Sequence, residues 1–209
     1  MIANSSSAVR ANVWRLAGVR WVHSSQWKAP ASQAQSPQEE WLEVPNPLPR
    51  VRLVTQSVVS ASVARDLRGI DPARTVLLEA PVGLELKNVG NPVIPGQARI
   101  VSEQPGQIEI ATNAPTRQLL VLSESWHPGW TTKQDGDASR EVLRAYGDYQ
   151  ACLVEPGSHT VLFRFAPKSF EVGKRVTLFG LLLAAGMCPV ILLWPKQHSS
   201  SILRLPKNL

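Results

Sequence analysis

The chain has 209 residues, 44 % of them hydrophobic, which is enough for one domain with a real core plus appendages and too apolar for a wholly disordered polymer. Seventeen prolines and thirteen glycines favour strands and turns over long helices. The net charge of +6 sits almost entirely at the C-terminal end: residues 164–209 carry seven Lys/Arg against Glu171 alone, whereas residues 1–163 carry fifteen of each sign, so the excess brackets an apolar segment instead of building a nucleic-acid face.

Taken in order, residues 1–9 are polar and Ser-rich and are expected to be disordered. Val13, Leu16 and Ala17 follow at helical spacing, and the pattern changes at Gly18 to the alternation of Val19 and Trp21, so a short helix should lead into a strand. Residues 28–40 read as linker, Trp41–Val44 as a strand, and Pro45, Pro47 and Pro49 as an extended connection. One strand is expected over Arg50–Ser57, then a short helix capped by Ser60 and ending at Gly69, an Asp71-Pro72 turn and a strand over Thr75–Glu79. These pieces divide into an N-terminal segment and linker (1–47) and a small α/β segment (48–94).

From residue 95 the pattern is strand, turn, strand. Ala98–Glu103 and Gln107–Thr112 flank Pro105-Gly106 as a hairpin, and Leu119–Ser125 is an apolar strand that stops at Trp-His-Pro-Gly-Trp (126–130). Pro128-Gly129 predicts a type II turn with a positive φ at the glycine. Trp130–Gln134 runs into the Asp135-Gly136 turn, Glu141–Ala145 and Tyr149–Val154 continue the sheet, and after Pro156-Gly157 the residues Val161, Phe163 and Phe165 should form one buried face. Short strands with turn signals every eight to twelve residues predict a β-sandwich over 95–172. Val176–Trp194 then contains nineteen residues without a charge, bracketed by Lys174-Arg175 and Lys196, and reads as a membrane-spanning helix over 174–195 followed by a short basic tail, 196–209. The fold class is therefore mainly β, a β-sandwich with a small α/β N-terminal part and one C-terminal transmembrane helix.

The chemistry-bearing residues give one candidate ligand set and no catalytic one. Trp126, His127 and Trp130 bring paired aromatic rings to the corner, and Tyr146 and Tyr149 add phenols in a loop that also carries Arg144 and Asp148; such rings can stack on sugar faces, although rings beside Pro-Gly turns more often pack the fold. Ser123, Glu124, Ser125 and His127 lie close in sequence, but no nucleophile-elbow motif is present and neighbouring strand residues face opposite ways. The four histidines lack metal-ligand spacing, Cys152 and Cys188 are not placed to pair, and no phosphate-binding glycine loop is found, so neither a metal nor a cofactor is expected.

In order and spacing, LVLSESWHPGW (120–130), Asp135-Gly136, YQACLVEPGSHTVLFRFAPKSFEVG (149–173) and the apolar helix resemble the end of the bacterial YfhO-type membrane proteins. WRLAGVRWV (14–22), LPRVRLV (48–54) and IDPARTVLLE (70–79) resemble segments that precede it. Members of that family are large polytopic proteins that resemble membrane glycosyltransferases using lipid-linked sugars, with acidic catalytic residues in N-terminal loops. This chain has nothing resembling that half, so no catalytic residue carries over. The resemblance implies a non-catalytic, single-pass β-domain on the extracytoplasmic side with its tail in the cytoplasm. Its partners would be the lipid bilayer and a glycan, lipid-linked sugar or polytopic membrane subunit, with no nucleic acid. The alternative is a tail-anchored structural or protein-interaction domain unrelated to glycosyl transfer.

Overall fold

The computed structural model describes residues 7–26, 40–82 and 94–193, with side chains described over 8–26, 40–82 and 94–186. The chain divides between Pro167 and Lys168 into two compact units. The first is mainly β. Helix α1 (Ser7–Leu16) leads into a two-stranded antiparallel ribbon, β1 (Trp21–His23) and β2 (Trp41–Glu43). Its start corrects the expected disorder for residues 7–9, because Val9 is already helical and only 3 % exposed, while residues 1–6 lie outside the described residues. Val9, Val13 and Leu16 recur at helical spacing on its inward face. Gly18, at φ +69, ends the helix, with the Gly18 N–H bonding Arg15 O and the Val19 N–H bonding Trp14 O.

The eleven remaining strands make two sheets. The six-stranded sheet contains β3 (Val51–Val54), β8 (Gln118–Leu122), β12 (Tyr149–Val154), β11 (Leu143–Ala145), β5 (Thr75–Leu78) and β4 (Gln56–Val59), in that spatial order. Its two outermost members are consecutive in the chain and separated only by Thr55. Two residues span at most about 7 Å, whereas the edges of a flat six-stranded sheet lie roughly 24 Å apart, so the sheet must curl until its edges approach. The single strand expected over Arg50–Ser57 is thus two strands: β3 pairs antiparallel with β8, and β4 pairs parallel with β5.

The boundary expected at residues 94 and 95 does not divide the structure either, since β3, β4 and β5 hydrogen-bond into the sheet that β8, β11 and β12 build. The short helix α2 (Val63–Asp66) is capped at Ser62 and not at Ser60; the Ser60 hydroxyl instead donates to Asp66 Oδ2 at 2.7 Å.

The five-stranded sheet has the order β10 (Arg140–Glu141), β9 (Trp130–Gln134), β13 (Gly157–Phe165), β7 (Gln107–Ala114), β6 (Gln97–Gln104). The β6–β7 hairpin turns at Pro105-Gly106, with Gly106 at φ +75. Period-two alternation sets its inner face: Ile108, Ile110, Val161 and Phe163 point inward. They share one cluster with Val51, Leu53, Leu120, Leu122, Cys152 and Val154 of the six-stranded sheet. The opposite face of that sheet packs Val54, Val76, Leu119 and Val121 against Val9 and Leu16 of α1 and Leu67. Strand β8 is buried on both faces, which is why Leu119–Leu122 read as a continuous aliphatic run.

Phe165 departs from the buried face expected of it, being 38 % exposed at the end of β13. The strand expected over Glu141–Ala145 breaks at Val142, where the chain leaves the five-stranded sheet as β10 and enters the six-stranded sheet as β11.

The second unit contains helix α3 (Lys168–Leu193), 26 residues long. Among the described residues no helix is long and apolar enough to cross a membrane. The described side chains of the apolar run end at Gly186, and the expected tail 196–209, like the linker 28–39, lies outside the described residues.

Candidate functional site

The five expected ligand residues fall into two groups: Trp126 and Trp130 pack against one core with His127 exposed beside them, and Tyr146 and Tyr149 pack in the other. At the corner, Trp126 is partly buried against the cluster between the two sheets. Val142 lies between β10 and β11, and its carbonyl needs a donor where the chain changes sheet. The Trp126 indole N–H supplies one at 3.0 Å, while the Trp126 backbone N–H bonds Asp148 O at 2.6 Å. The Arg144 guanidinium lies over the same indole, 5.1 Å from its centroid. Trp126 therefore seals a sheet crossover on one ring and presents little free surface to a ligand.

His127 and Trp130 complete the corner. The His127 Nδ1 accepts the Gly129 N–H at 2.9 Å, and the Trp130 N–H donates to His127 O at 3.0 Å, closing the turn. Gly129 does not have the positive φ that a type II turn requires. Glycine is needed for a different reason: a Cβ there would meet Pro167 Cβ at 2.8 Å and Pro167 Cα at 2.9 Å. Phe165 meets the His127 ring edge-on and the Trp130 ring at a tilt, with centroids 5.2 Å apart in each case. The corner is a packed aromatic seam between the start of β9 and the end of β13.

Tyr146 and Tyr149 belong to the other face of the six-stranded sheet. Tyr146 is 7 % exposed at φ +49, its hydroxyl donating to Thr75 O at 2.6 Å, and burial raises its pKa. The loop that carries Arg144 and Asp148 is thus anchored inward by the Tyr146 phenol. Tyr149 is half-buried 6.5 Å from the Tyr146 ring, its pKa also raised by burial. Beside them lies Arg52, buried, its guanidinium 5.8 Å from the Tyr146 centroid. Its Nη1 donates to Pro49 O and Ser123 Oγ, both at 3.3 Å, while Nε and Nη2 find no hydrogen-bond partner among the described residues. The position of Arg52 in an alternating apolar strand gave no sign of this.

The possible nucleophiles do not assemble. Ser123 donates to Leu16 O at 2.8 Å, Ser125 lies 3.3 Å from Asp148 Oδ2, and His127 has turned its Nδ1 to the backbone. Cys152 is buried, which pushes its thiol up to about 12 and leaves it protonated at neutral pH. Among the described residues no three His, Cys, Asp or Glu side chains group to hold a metal.

A cavity of about 810 Å³ opens between Leu48, Val51 and Leu53 on one side and Thr112, His159 and Asp135 on the other. At its rim His159 faces two acceptors, Asp135 Oδ2 at 2.5 Å through Nδ1 and Pro156 O at 3.0 Å through Nε2. Both contacts are hydrogen bonds only in the imidazolium form, and Asp135 and Pro156 O together raise the His159 pKa. The Thr160 N–H and the His159 ring hold the Asp135 carboxyl below its ordinary range. Asp135 itself sits at φ 49 and Gly136 at φ 83, so one imidazolium staples the Asp-Gly turn to the Pro-Gly turn.

Among the described residues the most exposed indoles are elsewhere. Trp21 and Trp41 are 56 % and 57 % exposed on the β1–β2 ribbon, a pair that sequence patterning alone did not separate from the other indoles. Comparison with protein-family models, with characterised proteins and with solved structures finds no match to the chain.

Proposed function

We propose that the chain is a non-catalytic, membrane-anchored β-sandwich domain, resembling the extracytoplasmic C-terminal part of a YfhO-like membrane glycosyltransferase and engaging a glycan, a lipid-linked sugar or a partner subunit close to the bilayer. The observation that carries the reading is the surface of α3. Val176, Leu178, Phe179, Leu181, Leu182 and Leu183 are each more than half exposed, and at 100° per residue they cover about 220° of the helix circumference, the remaining arc carrying the uncharged Thr177 and Gly180. A charge-free face that broad suits hydrocarbon, and Lys174 and Arg175 just before it suit a headgroup layer. Held there by residues 166–175, a β-domain samples a thin layer above the membrane, where even weak contacts gain from a raised effective concentration.

Two measurements test this. The intact chain should stay with membranes through alkaline carbonate extraction, and Leu183→Lys with Ala185→Lys should release it, since each charge near mid-span costs about 2.5–3.5 kcal/mol. Protease added to intact cells should degrade the β-domain; full protection would overturn the extracytoplasmic placement.

A further inference from the structure

The β1–β2 ribbon has two unlike faces. Its register pairs Trp21 with Glu43, Val22 with Leu42 and His23 with Trp41. Period-two alternation therefore sends Val22 and Leu42 one way, into a small cluster with Val44, and sends Trp21, His23, Trp41 and Glu43 the other way. On that outer face Trp21 and Trp41 are diagonal neighbours, roughly 7–8 Å apart by ordinary strand geometry. His23 meets Trp41 edge-on, with ring centroids 5.6 Å apart. The indole N–H of neither Trp21 nor Trp41 finds an acceptor among the described residues, unlike that of Trp126.

The rim is polar and acidic. Glu40 accepts from His23 Nε2 at 3.2 Å and is 73 % exposed, His23 Nδ1 lies 2.7 Å from Ser25 Oγ, and the exposed Glu43 has no partner among the described residues.

We infer that this face is a binding platform for a neutral oligosaccharide of equatorially substituted, β-linked hexopyranoses. This rests on the proposed glycan-engaging role and gives that role a place other than the corner. Two exposed indoles on one face of a two-stranded ribbon can accept the flat C–H face of a sugar ring. Ring hydroxyls at the edge of that sugar can donate to the free Glu43 carboxylate and to Glu40, and can meet the His23 ring. The same two carboxylates argue against a bilayer as occupant, because anionic headgroups repel them and the hydrocarbon beneath has no donors for them.

The test uses the full chain in a zwitterionic, sugar-free detergent, titrated with cellohexaose and with chitohexaose and followed by tryptophan fluorescence. The expected result is saturable binding of at least one probe, weakened about tenfold or more by Trp21→Ala and by Trp41→Ala. Weakening should be smaller for Glu43→Gln, and affinity partly kept in Trp41→Tyr, whose ring still stacks. Circular dichroism of each variant should match the parent, since both indoles are exposed. No saturable binding of either probe overturns the assignment, as does binding that survives the Trp21→Ala/Trp41→Ala double variant. Loss in that variant of binding to phosphatidylcholine vesicles, with no oligosaccharide binding by the parent, would hand the face to a lipid surface instead. Carbonate extraction reads the anchoring separately, so either reading can fail while the other stands.

Discussion

The corner around Trp126 and the ribbon around Trp21 place the same side chain in opposite settings. At the corner an apolar layer lies behind the ring and a backbone carbonyl, Val142 O, waits for its N–H, so the indole is committed on both counts. On the ribbon, alternation gives the apolar layer to Val22 and Leu42 and leaves Trp21 and Trp41 facing solvent. What separates a structural tryptophan from an available one is therefore the fate of its polar edge together with the layer behind it. Neither is visible in the residue's own name.

The sharpest way to break the comparison is Trp126→Ala. It removes a partly buried ring and leaves the Val142 carbonyl without its donor, and should lower stability by about 3 kcal/mol in urea unfolding. Trp126→Phe keeps most of the ring and should cost about 1–2 kcal/mol, separating the hydrogen bond from the packing. A Trp126→Ala variant as stable as the parent would remove the structural role assigned to the corner. Gly129→Ala probes the same seam from the backbone side: its methyl would lie 2.8 Å from Pro167 Cβ and 2.9 Å from Pro167 Cα, so main chain must move, at a cost of about 1–3 kcal/mol.

The strands were largely legible in the sequence because alternation and turn residues are local signals. The pairs Pro105-Gly106 and Asp135-Gly136 mark the turns they make, and Gly157 marks the start of β13. The curl of the six-stranded sheet was not legible, because it depends on β3 and β4 finding partners at residues 119–122 and 75–78. Likewise Tyr146 looked like a loop residue until its hydroxyl was placed on Thr75 O. The candidate site suffered most. A cluster of aromatic letters marks the corner well, yet nothing in the letters tells which of its rings the core will consume.

A smaller effect concerns His159 and the two turns it joins. His159 has two fixed acceptors and a raised pKa, so its stabilising contribution is fully present below the ordinary histidine value near 6.5 and is lost as pH rises through the folded-state value. Asp135, lowered in the fold, contributes above its ordinary value and loses that contribution as pH falls through the depressed one. The pair should thus stabilise the turns most in the window between the two. Melting midpoints should fall from pH 6 toward pH 9, and His159→Gln should flatten that slope; an unchanged slope would show that the staple is not titrating.

The smallest expected effect is the one on which the ribbon's assignment depends. Trp21→Ala removes a side chain that is 56 % exposed, has no polar partner among the described residues and shares its face with other exposed groups, so stability should change by no more than about 0.5 kcal/mol. The prediction is strict because a tryptophan normally contributes heavily wherever it is packed. A loss near that of Trp126→Ala would mean that Trp21 covers part of the fold after all, and the ribbon would join the corner as structure. A neutral result, measured beside a large loss at Trp126, leaves two solvent-facing indoles with no part in holding the fold and with their faces free to bind.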